Sequence, residues 1–103
     1  MSFLSFLGGT KKSEKIREYY ENGAVVLDVR SPGEFASGHA KGSKNIPLQN
    51  INGQLNQIKK WNKPVIACCQ SGMRSGSAKS ILQNAGIECI NGGSWTQVQK
   101  ALS

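Results

Sequence analysis

Cys69, Arg74 and the glycine-containing loop between them are the residues of this chain whose types and spacing could do covalent chemistry. Val65 to Ala67 read as a short buried strand, and Ala78, Ile81, Leu82 and Ala85 then recur at helical spacing. The thiol of Cys69 therefore falls at a strand-to-helix turn, just ahead of a helix N-terminus. Unpaired N–H groups and the helix dipole favour an anion there. A thiolate is such an anion, and it is the nucleophilic form of cysteine. A free thiol ionises near ~8.5, and bringing it to about 6 or 7 takes ~2–3 kcal/mol of differential stabilisation. Loop amides and Arg74 are the groups on hand to supply it. The competing reading is a structural cysteine buried at the end of a core strand. Position, loop and arginine agree on the reactive one.

The elements that must position this thiol can be read from periodicity and caps. Ser13 is expected to cap a helix running through Glu21, with Ile16, Tyr19 and Tyr20 on one face and Gly23 as its stop. Ala24 to Val29 is nearly all apolar, as suits a strand buried on both faces. Ser31 to Glu34 reads as a capping box with Pro32 at the first helical position, opening a short helix that ends near Gly38. Lys44 to Pro47 reads as a brief strand, and Ile51, Leu55 and Ile58 mark a helix with a weak point at Gly53. After the Cys69 loop, a helix runs to Asn84 and is stopped by Gly86. Ile87 to Ile90 reads as the last strand, and Ser94 with Gln97 forms a second capping box, with Trp95, Val98 and Leu102 inward. Alternating strands and helices predict an α/β fold: a parallel sheet of four to five short strands with helices on both faces. Such sheets bind ligands at the carboxyl ends of their strands, where Asp28, Arg30 and Cys69 all fall.

A chain of 103 residues makes one domain with a modest core. No apolar run approaches the ~20 residues that span a bilayer, so stable membrane insertion is not expected. Phe3, Leu4, Phe6 and Leu7 form too short a stretch for a signal peptide, and residues 1–12 read as an N-terminal arm ahead of a domain over 13–103. Three cysteines are an odd number in a chain able to fold without staples, which points to reduced thiols and a cytoplasmic setting. Neither a Cys-x-x-Cys pair nor metal-ligand spacing is present, and no cofactor is implied. The net charge of +7 comes largely from scattered lysines rather than a basic helix face, which argues against nucleic-acid binding. The positive field can still draw small anions toward a site.

Three segments resemble a rhodanese-like domain of the single-domain sulfurtransferase type. They are VVLDVRSPGEF from Val25 to Phe35, GHAKGSKNIP from Gly38 to Pro47, and the Cys69 loop through Arg74 and Ser75. A weaker match is Asn91, Gly92 and Gly93 before the last helix, and order and spacing fit across residues 13–102. The resemblance implies that Cys69 accepts a sulfane sulfur as a persulfide and passes it to a second nucleophile. It implies a substrate-binding loop of Gln70, Ser71, Gly72, Met73, Arg74 and Ser75, with amides turned inward on the sulfur. In that reading Gly72 supplies an unusual backbone angle, Arg74 grips a small anionic donor such as thiosulfate by its fork, and Ser75 caps the next helix or donates to the sulfur. The acceptor would be a thiol, cyanide or a protein. Asp28 and Arg30 brace the site, with Arg30 pairing to Glu34 or lining the pocket mouth. Gln70 stands where many active members carry a basic residue, which makes the pocket less positive.

Two rivals stay open at the level of sequence. One is a cysteine-dependent phosphatase or arsenate reductase. Against it, only four residues separate Cys69 from Arg74, fewer than in tyrosine phosphatases, and Cys68 stands where those usually have histidine. The other is a non-catalytic binding module on the same fold. His39, the sole histidine, reads as a loop-bracing hydrogen bonder. Cys68 should face away from Cys69 into core packing, Cys89 should be buried in the last strand, and Trp61 and Trp95 read as core or rim aromatics.

Overall fold

The computed structural model describes residues 11–103. Its centre is β3 (Val65–Cys69), buried at every position because strands flank it and helices cover both its faces. The sheet has four strands in the order β2 (Lys44–Asn45), β1 (Val25–Asp28), β3, β4 (Cys89–Ser94), and each pairing is parallel. The α/β architecture expected from the alternation of elements is the one observed.

Side-chain alternation along β1 and β3 sorts the core into two layers. Leu27, Val29, Val65, Ala67 and Cys69 face α3 (Leu55–Lys60) and α4 (Met73–Asn84), where Ile58, Ala78 and Leu82 meet them. Val26, Ile66 and Cys68 face α1 (Lys11–Glu21) and α5 (Trp95–Leu102), where Ile16, Val98 and Ala101 meet them. Both serine capping boxes form, Ser31 with Glu34 opening α2 (Pro32–Ala36) and Ser94 with Gln97 opening α5.

Several boundaries differ from the sequence reading. α1 covers Lys11–Glu21, so Ser13 lies inside the helix rather than capping it, and Lys11 and Lys12 are helical. The rest of the arm lies outside the described residues. Tyr20 is half-exposed rather than on the buried face. The segment before α3 is not continuous helix. Around Gly53 it breaks into two 3-10 turns, Leu48–Asn50 and Asn52–Gln54, and only Leu55 onward is α-helical.

The largest difference is in β4, which starts later than Ile87 and continues through Asn91, Gly92 and Gly93. Ala67 pairs with Asn91 but Cys68 pairs with Gly93, so Gly92 is an extra residue in the register and makes a bulge. A side chain at Gly92 would force its neighbours to shift: its Cβ would lie 2.7 Å from Val98 Cγ2 and 2.9 Å from Ile66 Cγ2. The glycine lets α5 press directly on the sheet. Among the described residues no helix is long and apolar enough to cross a membrane.

Candidate active site

β3 delivers Cys69 to its carboxyl end, and the chain turns through Gln70, Ser71 and Gly72 into α4. Gly72 occupies the N-cap position with φ +97°, a left-handed angle that costs a side-chain-bearing residue ~1–2 kcal/mol. That angle turns the chain into α4 just after the Gly72 amide, which donates to Cys69 with N to Sγ 3.0 Å. The Ser75 amide and hydroxyl each lie 3.4 Å from the same sulfur. Burial pushes the Cys69 thiol up, but donors from Ser75, Gly72 and Ser71 outweigh it and bring the pKa down to about 7. Burial instead pushes Cys68 and Cys89 up to about 12. One of the three thiols is thus set apart for ionisation near neutrality.

Ser75 does not cap α4. It sits inside the helix, fully buried, and its hydroxyl contacts Asn91 Oδ1 at 2.7 Å as well as the sulfur. A hydroxyl has one proton, so it serves one of these acceptors at a time. Facing a thiol, the short bond to Asn91 wins; facing a thiolate, the proton is drawn to the charge. Asn91 itself cannot be turned over. Its Oδ1 accepts from the Gly93 amide at 2.9 Å and its Nδ2 donates to the Gly72 carbonyl at 2.9 Å, and neither backbone group can exchange roles. Asn91 therefore ties the loop, the helix and the β4 bulge to one another.

Arg74 is the loop's cation, and a carboxylate already fills its fork. Its Nη1 and Nη2 donate to Glu34 Oε1 and Oε2 at 2.7 and 3.0 Å. Glu34 is also the third residue of α2, where its Oε1 accepts from the Ser31 amide at 3.0 Å. These bonds, the Arg74 one foremost, hold the Glu34 carboxyl down at about 2. Glu34 thus pairs with Arg74 and not with Arg30. Arg30 is 3% exposed and does not line a pocket mouth: it is bonded to the fully buried Asp28, with Nη2 to Oδ2 2.7 Å. The same Nη2 donates to the Gly38 carbonyl, and the guanidinium lies over the Trp95 ring at 5.1 Å. Asp28 is registered opposite Cys68, so this pair sits on the α1–α5 side of the sheet. Asn45 Nδ2 caps the carbonyls of both residues at 3.0 and 2.9 Å.

The remaining loop side chains point outward. Gln70 and Ser71 are exposed, and Met73 is 80% exposed, while Cys69 itself has no exposed surface. Reaction at that sulfur requires part of the rim to move. His39 Nδ1 meets the Phe35 carbonyl at 2.7 Å and its ring stacks on Phe35, which braces the loop after α2.

The sequence matches the family model of the rhodanese-like domain over residues 13–101. This chain belongs to the rhodanese-like domain family. It is 40% identical over 77 residues to the uncharacterized protein YqhL of Bacillus subtilis, covering 75% of this chain and 60% of that one. It is 32% identical over 74 residues to the thiosulfate sulfurtransferase GlpE of Ectopseudomonas mendocina, covering 72% of this chain and 67% of that one. Against the solved structure of a rhodanese with anions from E. coli the TM-score is 0.66 at 30% identity, over 73% of this chain and 91% of that one. The chain therefore spans less than two thirds of the length of YqhL. The family and these relatives support a rhodanese-type role.

Two residues of this rhodanese-like site were not singled out from sequence. Glu34 was read only as a helix-capping residue and an Arg30 partner; its contact with Arg74 bridges 40 positions of chain, and no local pattern announces it. Asn91 had a usable signal, a polar residue beside two glycines in an otherwise apolar strand, which marks a bulge aiming a side chain.

Proposed function

We propose that this domain is a sulfurtransferase that carries a sulfane sulfur as a persulfide on Cys69. The observation that carries the reading is the set of donors converging on one sulfur at the end of β3, Gly72 N, Ser75 N and Ser75 Oγ, which favour the thiolate. The thiolate attacks the outer sulfur of a donor such as thiosulfate. The S–S bond breaks and sulfite leaves with the bonding pair, so the sulfur remains on Cys69. An acceptor such as cyanide, a small thiol or a protein thiol then attacks that terminal sulfur, and Cys69 departs as the thiolate. No cofactor enters either step. The loop of Gln70, Ser71, Gly72, Met73, Arg74 and Ser75 surrounds the transferred sulfur, and Asp28 and Arg30 support it from behind the sheet. Three unpaired cysteines suit a reducing, cytoplasmic location.

Mass spectrometry of the purified protein with and without thiosulfate tests this. The expected result is a gain of one sulfur on the peptide bearing Cys69, removed by cyanide and absent from Cys69→Ser. Turnover of a small aryl phosphate without any sulfur gain would instead make the protein a phosphatase.

A further inference from the structure

Arg74 is the cation of the Cys69 loop, and Gln70 adds no second one. Arg74 immediately precedes Ser75, whose amide and hydroxyl contact the Cys69 sulfur, so its charge sits in the same first turn of α4 that faces an incoming anion. Yet both nitrogens of its fork are bonded to Glu34, in the bidentate arrangement that an oxyanion would otherwise take. Glu34 is held in that position from its other side as well, because its Oε1 also accepts from the Ser31 amide and hydroxyl at 3.0 and 3.1 Å. An arriving dianion thus meets a cation already neutralised by a carboxylate fixed to α2.

We infer that Glu34 is a specificity-determining residue of the Cys69 site: by holding the Arg74 fork it disfavours donors that carry a second negative charge, such as thiosulfate, relative to alkyl persulfides. The inference deepens the sulfurtransferase reading and rests on it for the identity of the donors. With an alkyl persulfide, R–S–S–H, the Cys69 thiolate attacks the outer sulfur, the S–S bond breaks, and the alkyl thiolate leaves with the bonding pair. The proton travels with the transferred sulfur. No anionic group needs the Arg74 fork in that exchange. With thiosulfate the sulfonate end needs a cation, and Glu34 competes for it. The Glu34 carboxyl, held at about 2, keeps its charge throughout the neutral range, so the competition does not fade with pH there. Both side chains are more than a third exposed, so salt should weaken the discrimination.

The variant that tests this is Glu34→Gln, because glutamine also completes a capping box with Ser31 and so removes charge while keeping the helix start. Two readouts separate the inference from the reading beneath it. The first is alkylation of Cys69 by iodoacetate, an anion, against iodoacetamide, its neutral analogue. The ratio of the two rates cancels any common change in thiolate fraction or loop opening. Glu34→Gln should raise the iodoacetate-to-iodoacetamide ratio about tenfold at low salt, and the rise should shrink at 1 M salt and vanish in an Arg74→Met background. The second is the ratio of kcat/KM for thiosulfate to that for an alkyl persulfide, which should rise in the same variant. An alkylation ratio within twofold of wild type overturns the Glu34 role. A rise that persists without Arg74 overturns it too. Sulfur transfer from neither donor, with the alkylation ratio shifted as expected, overturns the sulfurtransferase reading and the donor preference while leaving the charge competition at Cys69 standing.

Discussion

Cys68 and Cys69 are adjacent in the chain and face opposite sides of the sheet, Cys68 toward α1 and α5 and Cys69 toward α3 and α4. Adjacent strand positions alternate, so this follows from β3 being regular to its last residue. The consequence is chemical. Among the described residues Cys68 meets the Asp28–Arg30 pair and apolar packing, with no donor aimed at its sulfur, and Cys69 meets the amides at the start of α4. One strand end thus presents two thiols of opposite character.

The native protein should therefore be alkylated at Cys69 alone. The rate with iodoacetamide should rise with pH through a midpoint near 7, because Cys69 is protonated below its pKa of about 7 and thiolate above it. Cys68 and Cys89, both pushed to about 12, should stay unmodified until the protein unfolds. Peptide mapping after labelling at several pH values checks this. Labelling of Cys68 in the folded protein would contradict the assignment.

Ser75→Ala should move that midpoint upward, toward the range of an ordinary thiol. It removes a donor to the thiolate and leaves the Gly72 amide in place. Loss of one hydrogen bond of typical strength lowers the alkylation rate at neutral pH roughly 3- to 10-fold. Asn91 retains its bond from Gly93 in this variant, so the loop stays anchored. A midpoint unchanged from wild type would mean that the hydroxyl proton stays on Asn91 in both charge states.

Much of this arrangement was legible in the sequence where local rules act alone. The two capping boxes and the apolar run of β3 each follow from a few adjacent residues, and each is observed; the unusual backbone angle at Gly72, which the family resemblance implies, is observed as a left-handed one. What was not legible depends on distant packing. Asn91, Gly92 and Gly93 look like the end of a strand, because two glycines usually interrupt one. Here they continue it, since α5 must approach the sheet where only Gly92 leaves room. Ile51, Leu55 and Ile58 keep helical spacing through a segment that is partly 3-10, because both Ile51 and Ile58 still reach the same core. Sequence proximity suggests Arg30 as a partner of Glu34 or a residue of the pocket mouth, whereas Arg30 is bonded to Asp28 and Gly38.

Arg30→Met should destabilise the fold by about 3–5 kcal/mol, because it leaves the buried Asp28 carboxylate without its partner. Replacing both residues by apolar ones of similar size should cost much less than the single change. Urea denaturation of the two variants checks the difference. A single change costing under 1 kcal/mol would mean that water replaces the guanidinium.

Gly92→Ala should cost about 1–3 kcal/mol by overpacking. The new methyl would meet Val98 and Ile66 at distances no packed core tolerates, and the Ala67 carbonyl at 3.2 Å blocks the remaining direction. The strain falls on the bulge that aims Asn91, so the Cys69 alkylation midpoint should rise along with the loss of stability. Thermal denaturation and the alkylation profile together check this. A stable variant with an unmoved midpoint would show that α5 can retreat from the sheet.

The last prediction concerns loop length. Only three residues, Gln70, Ser71 and Gly72, lie between the end of β3 at Cys69 and the start of α4 at Met73. The loop is pinned at Gly72, whose amide donates to the sulfur and whose carbonyl accepts from Asn91 Nδ2. Its donors crowd one atom. A phosphoryl group in transfer needs donors for several oxygens spread around an in-line thiolate, which calls for a wider ring. The wild-type protein should thus take up sulfur from a sulfane donor and show no turnover of a small aryl phosphate. Inserting one glycine after Gly72 should carry the Ser75 donors away from the sulfur, raise the Cys69 midpoint and slow sulfur uptake by about tenfold or more, as loss of charge-assisted bonds would. Fluorescence and circular dichroism should show the sheet intact, because the insertion falls outside every strand. Uptake at the wild-type rate in the lengthened loop would mean that sulfur transfer does not depend on this ring of donors.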